Sequence, residues 1–191
     1  MALGGIPAQL VFRRRKPQRP DVVVLCDVSD SVRDVSRMML LFVHTLQSMF
    51  ARVRTFAFVS DVGEITSHFK DVDASRAVDL AVAGQAINVY ANSNYGRAFA
   101  LFVGAHLGAV TRRTTVLVIG DGRNNYNPAN VWALEELKRR ARRVVWICSE
   151  DRSSWALGDS EMPLFEKAVD QVIVVRNMED LEAVAREIVL T

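Results

Sequence analysis

VVVLCDVSDS, residues 22–31, holds the contrast that decides how this chain is read. Five apolar residues in a row, three of them β-branched, are what a short strand covered on both faces requires. Two acids and two serines then follow within five residues, at the tip of the most hydrophobic element of the chain. A strand end crowded with oxygen donors is explained by a ligand that needs them, and a divalent cation is the candidate. The competing explanation is local. Asp and Ser commonly cap a helix, and helical spacing begins near residue 31.

Outward from this stretch the chain alternates. SVRDVSRMMLLFVHTLQSMF (31–50) places Val35, Met38, Met39, Phe42, Val43, Leu46, Met49 and Phe50 at helical spacing. VRTFAFVS (53–60) reads as a second strand and GEITSHF (63–69) as a shorter one. The pattern predicts a helix over 74–86, a polar loop over 88–94 and a long helix over 95–111. TTVLVIG (114–120) is the next continuous apolar run. NPANVWALEELKRRAR (127–142) opens on Asn and Pro and turns amphipathic, as a capped helix does. VVWIC (144–148) and QVIVV (171–175) are strands, and MEDLEAVAREIVL (178–190) is the last helix. Strands alternating with helices imply an α/β fold, with a mostly parallel sheet and helices on both faces.

The 191 residues suffice for one domain with a full core. Half are hydrophobic and 24% are charged, the balance of an ordinary globular protein. A net charge of +2 gives no argument for nucleic acid. The basic excess is local, since RRRKPQR (13–19) supplies five cations. Residues 1–20 read as a basic tail or linker, with peripheral contact to phosphate or a membrane surface as the other use of such a run. The domain proper then spans 21–191, and the basic, proline-containing start leaves room for a longer parent chain. No apolar stretch approaches the length of a membrane span, about 20 residues. MALGGIPAQLVF lacks the charged start and long apolar core of a secretory signal. Cys26 and Cys148 both fall in apolar runs, as buried free thiols of a reducing compartment do, so the expected location is cytoplasmic.

In open α/β sheets, ligands sit beyond the carboxyl ends of the strands, where strand order reverses. Three polar loops fall at such places: DVSDS (27–31), NSNYG (92–96) and GDGRNNYNP (120–128). They offer two acids, Asp27 and Asp121, and three hydroxyls, Ser29, Ser31 and Ser93. Such a set suits a hard cation: magnesium takes oxygen ligands, uses one or two carboxylates and keeps several waters. Hydroxyls ligate without adding charge, so the ion keeps positive character and room for a carboxylate from another protein. No His or Cys lies in these loops, which argues against zinc or copper there. Asn94, Tyr95 and Arg97 stand at the rim of the middle loop, where helix capping and packing account for them equally well.

These residues carry a resemblance. D-V-S-x-S after an apolar strand, a hydroxyl residue in a middle loop and an Asp-Gly after a later strand resemble the metal-ion-dependent adhesion site (MIDAS) of von Willebrand factor A (VWA) domains, over about residues 21–190. SRMMLLFVHTL, RTFAFVS, the loop followed by YGRAF, and VVWIC look most like the CoxE-like group of bacterial A domains. The resemblance implies a Rossmann-like VWA fold of strand order 3-2-1-4-5-6, with a short antiparallel edge strand near 63–69. It implies Asp27, Ser29, Ser31, Ser93 and Asp121 as ligands of Mg2+, or of Mn2+ or another divalent cation, Asp121 directly or through water. It also implies a non-catalytic accessory protein. Such a protein works beside a MoxR-type AAA+ ATPase to mature or remodel a client metalloenzyme, for instance a molybdenum-containing carbon monoxide dehydrogenase, and contact runs through an acidic side chain. The sequence departs from the family pattern in three places. Ser93 replaces the usual threonine and keeps the hydroxyl. Asp30 replaces the usual glycine between the serines and adds negative charge. Asn124, Asn125 and Asn127 occupy a loop that is often more acidic.

Two other readings stay open at this point. An apolar strand ending in Asp, with GDGRNN later, also looks like parts of a haloacid-dehalogenase-like phosphatase. That family uses the first Asp as nucleophile and an acid two residues on as proton donor. The residue two on from Asp27 is Ser29, so the general acid is missing. The other reading is a VWA scaffold whose metal site is inactive. The sequence places no nucleophile–base pair and no G-x-x-x-x-G-K-[ST] phosphate loop. His44 and His106 lie in amphipathic helices, and Trp132, Trp146 and Trp155 read as core or rim.

Overall fold

The computed structural model describes residues 21–29, 42, 50–69 and 91–190. Among the described residues six strands form one sheet: β1 (Asp21–Asp27), β2 (Arg52–Phe58), β3 (Val62–Glu64), β4 (Thr114–Ile119), β5 (Arg143–Cys148) and β6 (Gln171–Val174). Their order is β3-β2-β1-β4-β5-β6. Neighbours pair in parallel except at the β2–β3 edge, which is antiparallel. The expected order and the expected edge are therefore both present. The edge strand is only three residues long, because Thr66–Phe69 turns into a 3-10 helix. Among the described residues four α-helices with both ends given accompany the sheet: α1 (Tyr95–His106), α2 (Val131–Arg140), α3 (Met162–Ala168) and α4 (Met178–Leu190).

The continuous apolar runs are explained by two cores. Successive strand residues point to opposite faces, so a strand covered on both sides has no polar register. On one face Val22, Val24 and Cys26 pack with Leu117 and Ile119 and with Leu181, Val184, Ala185 and Ile188 of α4, which keep helical spacing. On the other face Val23 and Leu25 pack with Val116, Val118 and Trp146, under Phe99 and Phe102 of α1, Leu134 and Leu137 of α2 and Phe165 of α3. Cys26 and Cys148 are free and buried. Burial raises the Cys148 thiol to about 11 and pushes Cys26 further still, so neither is a reactive thiolate at neutral pH. Trp146 is fully buried and Trp155 nearly so, whereas Trp132 is exposed. No helix among the described residues is long and apolar enough to cross a membrane.

The structure differs from the sequence expectation in two elements. The NPAN segment stays a loop and α2 begins at Val131, because Asn127 bonds back to the Asn124 carbonyl at 2.7 Å and Asn130 takes a left-handed φ of 44°. The seven-residue α3 has no counterpart in the sequence reading: Met162, Phe165 and Ala168 are its buried residues, too few repeats to show a period. The helices expected over 31–50 and 74–86 lie outside the described residues, except that Phe42 is helical and buried and Phe50 is buried in a bend. With β1 between β2 and β4, the reversal of strand order falls at the carboxyl ends of β1 and β4.

Candidate metal centre

Asp27 is the last residue of β1 and pairs with Phe58 of β2. Across β1, Cys26 pairs with Ile119, the last residue of β4, so Gly120 and Asp121 run out beside Asp27. Both carboxylates are buried, 1% exposed at Asp27 and 3% at Asp121. Ser29 donates its backbone N–H to Asp27 Oδ1 at 2.9 Å, and its hydroxyl bonds the same carboxylate. The Tyr95 hydroxyl donates to Asp27 Oδ2 at 2.6 Å and lies 3.2 Å from Asp121 Oδ1. The Arg123 N–H donates to Asp121 Oδ1 at 2.9 Å.

The middle loop is fastened to both neighbours. The Asn94 N–H donates to the Val59 carbonyl beyond β2 at 2.9 Å, and the Asn94 side chain caps α1 by accepting the Arg97 N–H at 2.9 Å. Arg97 itself turns outward to Asp61. The buried Ser93 presents its carbonyl to Asn125 Nδ2 at 3.0 Å and Asn127 Nδ2 at 3.4 Å. Asn124 donates to the Asn127 carbonyl at 2.6 Å and accepts the Gly96 N–H at 3.4 Å. The three asparagines thus staple the third loop to the second, a role that their reading as lost acidic groups does not include. From the β5 side, Arg123 pairs with Glu150 and Asp159. The tip residues Asn125 and Tyr126 hold left-handed φ values of 49° and 58°, and the Tyr126 ring is 82% exposed. A bulky side chain rarely accepts that backbone, and such outliers concentrate at functional sites.

Asp27 is therefore bonded to Ser29 and shares the Tyr95 hydroxyl with Asp121, and the Ser93 carbonyl is tied to the loop that follows Asp121. Ser31 lies outside the described residues. Tyr95, which sequence position alone puts at the rim, lies at the centre. The available signal was Gly120, the glycine before Asp121; Gly122 after it answers to a different neighbour. A Cβ on Gly120 would fall 2.1 Å from the Tyr95 hydroxyl, and one on Gly122, which has a φ of 76°, would fall 2.5 Å from the Met162 side chain.

Burial pushes the Asp27 carboxyl up to about 7; hydrogen bonds from Tyr95 and Ser29 oppose the rise, and the like charge of Asp121 adds to it. Two buried carboxylates held together in this way are short of positive charge. Among the described residues no group of three His, Cys, Asp or Glu gathers. The donor set is instead two carboxylates with hydroxyls nearby, which fits a hard divalent cation.

A six-stranded sheet in this order, with one antiparallel edge and acids at the reversal of strand order, is the arrangement expected of a VWA-type domain. The chain belongs to the family of VWA domain containing CoxE-like proteins, whose profile matches residues 1–184. Its fold is similar to that of proximal thread matrix protein 1 from the mussel byssus with a zinc-occupied MIDAS motif: TM-score 0.62, 14% identity, 90% of this chain and 47% of that one. It is also similar to a von Willebrand factor type A protein from Catenulispora acidiphila (TM-score 0.59, 16% identity, 90% of this chain and 42% of that one). A third similar structure is BatB from Bacteroides thetaiotaomicron (TM-score 0.57, 14% identity, 88% of this chain and 97% of that one). This chain spans less than half the length of the first two. No curated protein sequence matches it. Family membership replaces the phosphatase reading, and Ser29, where that reading needs an acid, donates to Asp27 instead.

Proposed function

We propose that this domain binds a divalent cation, Mg2+ or Mn2+, through Asp27, Ser29, Ser31, Ser93 and Asp121, and uses the ion to capture an acidic side chain of a partner protein. The observation that carries this reading is the meeting of buried Asp27 and Asp121 at the carboxyl ends of β1 and β4. Like charges buried together are unfavourable unless a proton or a cation compensates them. Two carboxylates and neutral hydroxyls leave a divalent ion with unused positive character, which a third carboxylate satisfies. The exposed Tyr126 ring beside the site offers the partner an aromatic contact. The zinc-occupied MIDAS of the mussel protein supports an ion at this place in the fold.

CoxE-like membership supports the finer assignment. The partner is a MoxR-type AAA+ ATPase, the client is a metalloenzyme such as a molybdenum-containing carbon monoxide dehydrogenase, and the domain is a cytoplasmic adaptor without catalysis of its own. Force or rearrangement generated by the ATPase then reaches the client through the ion. The test is a pull-down of the ATPase. Association is expected to need divalent metal, to fall away in EDTA, and to be lost in Ser29→Ala plus Asp121→Ala while circular dichroism stays unchanged. An ATPase retained equally under chelation and by the double variant would overturn the proposal.

A further inference from the structure

We infer that Tyr95 is a positioning residue of this site: its phenol hydroxyl sets the mutual orientation of Asp27 and Asp121, so that a cation meets two carboxylates already fixed in place. The inference rests on the metal-binding reading above and concerns a residue outside the ligand set.

The oxygen of Tyr95 has little freedom to be anywhere else. Its backbone is the first residue of α1, directly after the Asn94 cap. Its ring is fully buried, edge-on to Phe58 at 5.0 Å and stacked on Trp146 at 5.7 Å, with Phe165 at 5.9 Å. These neighbours hold a phenylalanine equally well, so the hydroxyl is what packing leaves unexplained. It reaches Asp27 Oδ2 at 2.6 Å and approaches Asp121 Oδ1 at 3.2 Å, touching with one atom the acid that ends β1 and the acid in the loop after β4.

The chain also makes room for that atom. A Cβ on Gly120 would lie 2.1 Å from the hydroxyl and 3.0 Å from the Asp27 Cβ. Trp146 Nε1 donates to the Gly120 carbonyl at 2.9 Å, so the ring that stacks on Tyr95 also holds the glycine that admits its oxygen. Tyr95, Gly120 and Trp146 together connect the aromatic core to the carboxylates. Groups that orient metal ligands in this way govern affinity without touching the ion, and their loss typically weakens binding by about 10–100-fold.

The test is Mn2+ titration calorimetry on the wild-type chain, on Tyr95→Phe and on Phe102→Leu, a core variant of α1 that lies off the Tyr95 cluster. Tyr95→Phe is expected to weaken Mn2+ binding by about 10–100-fold. Phe102→Leu is expected to lower the melting temperature and leave Mn2+ affinity unchanged. If Tyr95→Phe yields too little folded protein, Gly120→Ala reaches the same contact from the other side, since its methyl displaces the phenol oxygen, and the same loss is expected. Wild-type affinity in Tyr95→Phe or in Gly120→Ala, or an equal loss in Phe102→Leu, would overturn the inference while leaving the metal site standing. No Mn2+ binding by the wild-type chain would overturn both.

Discussion

Asp27→Asn should make the metal-free protein more stable, although it removes the first proposed ligand. The burial of Asp27 raises its carboxyl to about 7, from 3.8 for the ordinary group. The folded state therefore holds a proton on Asp27 through a window, from about pH 4 to about pH 7, in which the unfolded chain has released it. Stability from this group is fully present below the lower limit and is lost as pH rises toward the upper one. Roughly three pKa units correspond to about 4 kcal/mol as a ceiling. Asn keeps the shape and carries no charge. Its carbonyl oxygen still accepts the Ser29 N–H, and its amide faces the Tyr95 oxygen, which accepts as well as donates. Urea unfolding in EDTA at pH 5, 6.5 and 8 is the assay. The variant should exceed the wild type by about 2–4 kcal/mol at pH 8, with the gap closing as pH falls. Mg2+ at about 1,000 times its Kd should reverse the order, because the ligand stabilises only the chain that binds it, there by about 4.1 kcal/mol. A variant less stable than the wild type at pH 8 in EDTA, or a gap that ignores pH, would refute the reasoning.

Trp146→Phe should cost about 1–3 kcal/mol in urea unfolding, because the Gly120 carbonyl loses a buried donor at 2.9 Å while the ring stack survives. Gly96→Ala should destabilise by about 1–3 kcal/mol or more and weaken Mn2+ binding, since its methyl would lie 2.0 Å from the Pro128 carbonyl and force the third loop away from α1. Asn124→Ala should cost about 1–3 kcal/mol by removing the donor to the Asn127 carbonyl and the acceptor for Gly96.

Local pattern carried the strands, and the reason is physical. VVVLC and TTVLVI are covered on both faces, so they read as unbroken apolar runs. The strand order and the antiparallel edge came from the family resemblance, because apolar runs say nothing about which neighbour they join. The acids at the strand ends were legible because the C-terminal tip of a buried strand is a poor place for a carboxylate without a purpose. Tyr95 was not legible as a central residue: its contact with Asp27 spans 68 positions, and an apolar helix start gives the same reason for an aromatic there. Asn124, Asn125 and Asn127 looked like lost charge because their partners, the Ser93 carbonyl and the Gly96 N–H, belong to another loop. The short α3 left no period to find.

The central claim is that the acids at the ends of β1 and β4 hold a divalent cation. It is tested most directly by titration calorimetry with Mg2+ and Mn2+ on the wild-type domain and on Asp27→Ala. The account predicts one ion per wild-type domain and no binding by the variant, with both chains folded. A wild-type domain that takes up neither ion would mark a scaffold with an inactive site, and equal uptake by wild type and variant would place the ion elsewhere; either result contradicts the account.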